Sequence, residues 1–157
     1  MENNWEEVVT TYKNSPRARK AKLIRKSKDT ALHIAVSNGQ TENALKLVDT
    51  IDEDVLVKIL NARGNTPLHL AARLGNFKIC EKMVSKNPKL MGVRNKDGEA
   101  PIFLAAPHGQ PEIFFYLHEK FEIYDKYLRS DNGDTILHVA ISGECFSKYQ
   151  QKPDTSS

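Results

Sequence analysis

Apolar positions along this chain repeat on two scales. Within short segments they fall at helical spacing, and the segments return at a nearly constant interval. The most complete copy is Thr66-Pro67-Leu68-His69-Leu70-Ala71. Thr30-Ala31-Leu32-His33-Ile34-Ala35 precedes it by 36 residues, Ala100-Pro101-Ile102-Phe103-Leu104-Ala105 follows by 34, and Thr135-Ile136-Leu137-His138-Val139-Ala140 comes 35 later. One supersecondary unit is used about four times.

The first unit predicts a helix over 30–38, a turn at Gly39 and a second helix over 41–48 that ends at the acid-rich stretch 49–54. The second unit predicts helices over 66–74 and 77–85 around Gly75, with an exit at Asn87-Pro88. The third predicts helices over 101–108 and 111–120 around Gly109, and the fourth a helix over 135–142 before Gly143, where the pattern stops. Upstream, Trp5, Val8, Val9 and Tyr12 lie at offsets 0, 3, 4 and 7, one face of a helix that reads as the second half of an incomplete unit. The chain therefore divides into an N-terminal half-unit and loop over 1–28, repeats over 29–146 and a tail over 147–157 without an apolar face. The repeats divide at 29–63, 64–97, 98–132 and a partial 133–146.

Two departures from the pattern carry physical weight. Gly64, Gly98 and Gly133 precede their helices by two residues, where the turn needs a positive φ, but Lys28 holds that place in the first unit. A left-handed lysine costs on the order of 1 kcal/mol, so a remodelled turn is expected there. In the third unit, Pro107 cannot donate to the Phe103 carbonyl, so that helix is expected to end early or kink.

Composition narrows the class. At 157 residues, with 39% hydrophobic and 27% charged residues, the chain has the makeup of one ordinary globular domain. No apolar run approaches the roughly 20 residues of a membrane helix, and the polar, acidic N-terminus is unlike a signal peptide. The two cysteines, Cys80 and Cys145, form no zinc spacing or disulfide framework, so a cytoplasmic, reducing location is expected. The net charge of +3 is uneven: residues 13–28 hold eight Lys/Arg and no acid, leaving 15 bases against 20 acids elsewhere.

Two readings compete for His33, His69 and His138: metal or acid–base chemistry, or a hydrogen bond from the opening Thr30, Thr66 or Thr135 to the next unit. Periodicity favours the structural reading, because residues at the same place in successive units do not share one ion. Pro67 suits the first helical turn, where its missing N–H has no partner anyway. Cys80 falls on an apolar helix face with Ile79, Met83 and Val84 and reads as a small buried hydrophobe. His108 and His118 are isolated. No phosphate loop, nucleophile elbow or paired-carboxylate motif is present, so no catalysis, metal or cofactor is expected.

A T-P-L-H-x-A signature at this period resembles the ankyrin repeat, which implies an all-α solenoid of helix–turn–helix units. More narrowly, the chain from about Asn4 to Phe146 resembles plant ankyrin-repeat proteins of the accelerated-cell-death and increased-salt-tolerance group. The carriers are Trp5-Glu6-Glu7-Val8-Val9, Tyr12 and Pro16, then the unit openings at Asp29, Gly64, Pro101 and Thr135 and the residues that follow them. Members of that group continue into further repeats and a membrane domain named for a Pro-Gly-Gly motif, and are associated with membrane-linked stress and defence signalling, with the repeats in the cytosol. The present chain resembles a truncated form. Its fourth unit has only Cys145 and Phe146 after the first helix, so the inner face with Ile136 and Val139 is expected to fray from about Ser130 onward.

The resemblance implies binding of another protein, by a monomer, through turn tips and the concave face of the first helices, with no small-molecule substrate. By position this selects Arg63, Asn65, Lys96, Asp97, Glu99, Asn132 and Asp134 at the tips, and Ser37, Asn38, Arg73, Leu74 and His108 at the helix ends. Arg63 and Arg73 are the first choices as anchors, since Arg is enriched at hot spots. The basic run over 13–28 supplies an alternative, contact with an anionic membrane surface or nucleic acid. With few interleaved aromatics it is poorly suited to base stacking, so nucleic acid is not the expected partner.

Overall fold

The computed structural model describes residues 4–21 and 26–121. Among them are eight α-helices and no strand: α1 (Trp5–Asn14), α2 (Ala31–Ser37), α3 (Thr41–Thr50), α4 (Glu53–Leu56), α5 (Pro67–Leu74), α6 (Phe77–Lys86), α7 (Pro101–Ala105) and α8 (Pro111–Phe121). Hairpins α2–α3, α5–α6 and α7–α8 stack in order. Their first helices form one layer, α2 on α5 on α7, and their second helices another, α3 on α6 on α8, with α1 against α3 as the start of the second layer. This is an all-α solenoid, with the core lying between units.

Local chemistry explains where the helices begin and end. α5 opens at Thr66 in a capping box with His69, takes Pro67 in its first turn and stops at Gly75 in the left-handed region. Asn4 and Asn76 cap α1 and α6 by accepting the amides of Glu7 and Ile79. Leu32, Leu68 and Ile102 are buried at equivalent places in the first layer, and Leu47, Met83 and Leu117 in the second. Buried Ala35, Ala71 and Ala105 present little bulk where first helices meet.

The structure modifies several expectations. α3 runs two residues past Val48, and the acid-rich stretch contains α4, whose Glu53 and Asp54 sit favourably in a first turn. Ile51, Leu56 and Ile59 bury the apolar side of that stretch. A 3-10 turn over Pro88–Gly92 similarly buries Leu90 and Met91. α7 ends at Ala105, two residues before Pro107. The fourth unit, with the expected fraying and tail, lies outside the described residues.

Lys28 is the main correction. It takes φ 54°, the only positive φ of a non-glycine residue among those described, beside 75° at both Gly64 and Gly98. The turn is kept, not remodelled, because its backbone is held by the next turn: the Ala62 amide donates to the Ser27 carbonyl at 2.6 Å. The lysine side chain stays exposed, so the strain is confined to the backbone. Lys28→Gly is expected to raise stability by about 0.5–1 kcal/mol in urea titration, the strain relieved less the extra freedom of the unfolded chain. An unchanged or lowered midpoint would show that no strain resides there.

Candidate functional site

Histidine joins the first unit to the second and the second to the third. Within the second unit, His69 Nε2 donates to the Glu99 carbonyl at 3.0 Å, which leaves Nδ1 as the acceptor. Nδ1 accepts the Thr66 amide at 3.0 Å and the Thr66 hydroxyl at 2.9 Å. His33 repeats the arrangement, with Nε2 to the Asn65 carbonyl at 2.9 Å and Nδ1 facing the Thr30 amide and hydroxyl. All four side chains are buried. Burial is the largest influence on His69 and lowers its pKa to about 4, with the nearby His33 acting the same way and the Glu99 carbonyl opposing. A neutral imidazole with both nitrogens engaged is a cross-link.

Asparagine organises the turns, a role that the sequence reading did not assign. Asn61 Oδ1 accepts the amides of Arg63 and Asn65, and Asn95 Oδ1 accepts those of Asp97 and Glu99. Their Nδ2 groups reach back to the preceding turn, Asn61 to the Asp29 carboxylate and Asn95 to the Asn65 side chain. The Lys96 amide donates to the Arg63 carbonyl at 2.9 Å, matching the Ala62–Ser27 bond. The available signal was an Asn three residues before each of Gly64 and Gly98. Such a residue reads as ordinary loop polarity until its partners are seen.

These bonds sort the expected surface residues. Ser37, Asn38, Arg63, Arg73, Leu74, Lys96, Asp97 and His108 are exposed. Asn65 is corrected: only 6% exposed, it spends its carbonyl on His33 and its side chain on Asn95. Glu99 is half-buried, with its carboxylate held by Asn95 Nδ2 at 3.3 Å. His108 Nδ1 donates to the Leu104 carbonyl at 2.7 Å, capping the shortened α7. Asn132, Asp134, Thr135 and His138 lie outside the described residues.

The exposed residues fall in two zones. Lys28, Arg63, Lys96 and Asp97 occupy the tips. On α5, Leu70, Arg73 and Leu74 share the solvent face by their i, i+3, i+4 spacing, and Leu74 is 51% exposed. Beside Leu74 a groove of about 550 Å³ opens between the first two hairpins, lined among others by Val36, Ser37, Gly39, Phe77 and Lys78. The His, Cys, Asp and Glu side chains among the described residues include no group of three able to hold a metal ion. Cys80 is fully buried, and burial pushes its thiol up to about 12. No described helix is long and apolar enough to cross a membrane.

Comparison with known proteins agrees with this geometry. The family model for ankyrin repeats, in three copies, matches residues 2–92. The chain is 28% identical over 99 residues to the E3 ubiquitin-protein ligase KEG of Arabidopsis thaliana, covering 63% of this chain and 6% of that protein. It is 30% identical over 120 residues to the human B-cell lymphoma 3 protein, covering 74% of this chain and 26% of that one. With the human SMC5-SMC6 complex localization factor protein 1 it shares 33% identity over 85 residues, 54% of this chain and 8% of the other. The chain thus spans a quarter or less of the length of most of these relatives, and at most 26% of any of the three.

The histidine cross-link sets a pH dependence. The folded pKa of His69 lies below the ordinary value of 6.5, so the unfolded chain binds more protons between the two. Its contribution is whole above about pH 6.5, declines as pH falls toward 4 and is gone below, a loss on the order of 3 kcal/mol. Urea titrations at pH 7.5 and at about pH 4 check this, and His69→Phe should flatten the difference by a comparable amount. Equal pH dependence in the variant would remove His69 as the cause.

Proposed function

The chain belongs to the ankyrin-repeat family, and from that premise we propose that it binds a partner protein through the turn tips and the solvent face of α2, α5 and α7. The observation that carries this reading is the division of labour within each unit. Thr, His, Asn and the small apolar residues are consumed by stacking, whereas Arg63 and Lys96 at the turns and Arg73 and Leu74 on α5 are exposed. Arg63 and Arg73 are the energetic anchors, because a guanidinium combines directed hydrogen bonds with a stacking plane. The units act as a rigid scaffold and catalyse no reaction. The resemblance to the accelerated-cell-death and increased-salt-tolerance group extends the proposal to a cytosolic role, as a monomer, in plant stress or defence signalling. The match to a plant ubiquitin ligase is compatible with a plant setting.

A second reading concerns the basic run. Lys13, Arg17 and Lys20 are exposed and favour association with an anionic membrane surface. Their neighbour Arg19 is already committed, with Nη1 3.0 Å from the Asp52 carboxylate and Nε on the Tyr12 carbonyl. The acids of 49–54 therefore border the run and weaken its field.

Affinity capture with the full chain and with an Arg63→Glu/Arg73→Glu variant tests the main reading. A protein retained by the first and lost from the second, with helicity unchanged, is the expected result; identical captures would reject this surface. For the second reading, sedimentation with phosphatidylserine vesicles should show salt-sensitive binding that Lys13→Glu/Arg17→Glu/Lys20→Glu abolishes. Binding that ignores the triple variant would end it.

A further inference from the structure

We infer that the partner segment is acidic and carries apolar side chains, seated along the tip row and the exposed face of the first helices. This rests on the protein-binding reading above and adds the chemistry of the ligand. Its basis is a segregation of charge between the two layers. Helices α2, α5 and α7 contain no Asp or Glu, and α5 contributes the exposed Arg73. Helices α3, α6 and α8 instead mix their lysines with Glu42, Asp49, Glu81, Glu112 and Glu119.

The tips extend the same bias. Lys26, Lys28, Arg63 and Lys96 are exposed there, against one exposed carboxylate, Asp97, among the described residues. The other two tip acids, Asp29 and Glu99, are half-buried and held in place by Asn61 and Asn95; they keep their charge, so the four exposed cations face three carboxylates at the tips. The basic run of the sequence thus divides in the structure. Arg19 turns toward the acids at Asp52, while Lys26 and Lys28 join the tip row.

The row is preorganised. Ser27–Ala62 and Arg63–Lys96 backbone bonds tie the turns together, so little ordering of the backbone remains to be done on binding. Stacked helices stand roughly 8–10 Å apart, which spaces successive tip cations at about three residues of an extended chain or two turns of a helix. Between tips and groove, Ile34, Leu70 and Leu104 are half-buried at equivalent positions, and Leu74 lies open beside the groove. Aliphatic side chains between cations suit a peptide bearing both carboxylates and apolar residues. They supply no aromatic platform for a nucleic-acid base.

The probe is a labelled peptide of about 16 residues with glutamates flanking a Leu-rich centre, compared with versions carrying Gln or Lys in place of Glu. Fluorescence anisotropy with the full chain should show binding of the Glu peptide that weakens with salt, at least about tenfold weaker binding of the Gln peptide and none of the Lys peptide. Arg63→Glu/Arg73→Glu should weaken the Glu peptide about tenfold or more, while Lys46→Glu on the outer layer leaves it unchanged. Equal binding of the Gln or Lys peptide overturns the inference, as does tighter binding of a single-stranded oligonucleotide of about 20 nucleotides. Failure of all three peptides at about 1 mM also overturns it. If the Gln peptide binds equally and Leu74→Asp abolishes that binding, the acidic specification fails and the protein-binding reading stands. Identical affinity captures by wild type and the Arg variant would instead count against the surface itself.

Discussion

The bond from a buried histidine N–H to a carbonyl of the next unit is the constraint on which the rest depends. The imidazoles of His33 and His69 are fully buried, so losing this bond would leave a buried donor unsatisfied. By donating through Nε2, His69 fixes its own tautomer, and only in that tautomer can Nδ1 accept both the amide and the hydroxyl of Thr66. A cap within one unit and a link to the next are therefore one event. The turn residues inherit their position from it: the carbonyl that His33 holds belongs to Asn65, whose side chain receives Asn95 from the following turn.

The third unit shows how this device is set aside without damage. Ala100 and Phe103 stand where Thr and His stand elsewhere, so the hydroxyl and the imidazole are lost together. Both residues are buried, Phe103 at 2% exposure. Replacing both members of a polar pair by apolar groups avoids the penalty of stranding one of them. Unit identity thus survives a change of bonding, because apolar Ile102 and Ala105 continue the layer that runs through Leu32 and Ala35 and then Leu68 and Ala71.

Most of the solenoid was legible because its causes are local and repeated: a Thr, a Pro, a helical apolar stripe and a glycine at a fixed offset. What escaped the sequence shares a different origin. Asn65 reads as an exposed tip residue, and its burial follows only from what the neighbouring unit brings against it. Asn61 and Asn95 look like loop polarity because their roles lie in bonds to both their own turn and the preceding one. α4 and the 3-10 turn over Pro88–Gly92 are too short to display a period, though Leu56 and Leu90 bury fully. The left-handed turn at Lys28 departs from the expectation because a backbone bond from Ala62 opposes a local strain of about 1 kcal/mol, and that bond is not visible in the sequence of the turn.

The same bonds make the proposed binding surface separable from the fold. Stacking consumes the polar groups of Thr30, His33, Asn61, Thr66, His69 and Asn95, leaving the tip and inner-helix side chains with few duties inside the array. Arg63 is instructive: its carbonyl joins the ladder while its side chain is exposed. A substitution there leaves the ladder bond intact, since that bond uses only backbone. Charge can therefore collect on one layer under selection for a ligand, with the lattice of buried histidines and asparagines holding its spacing.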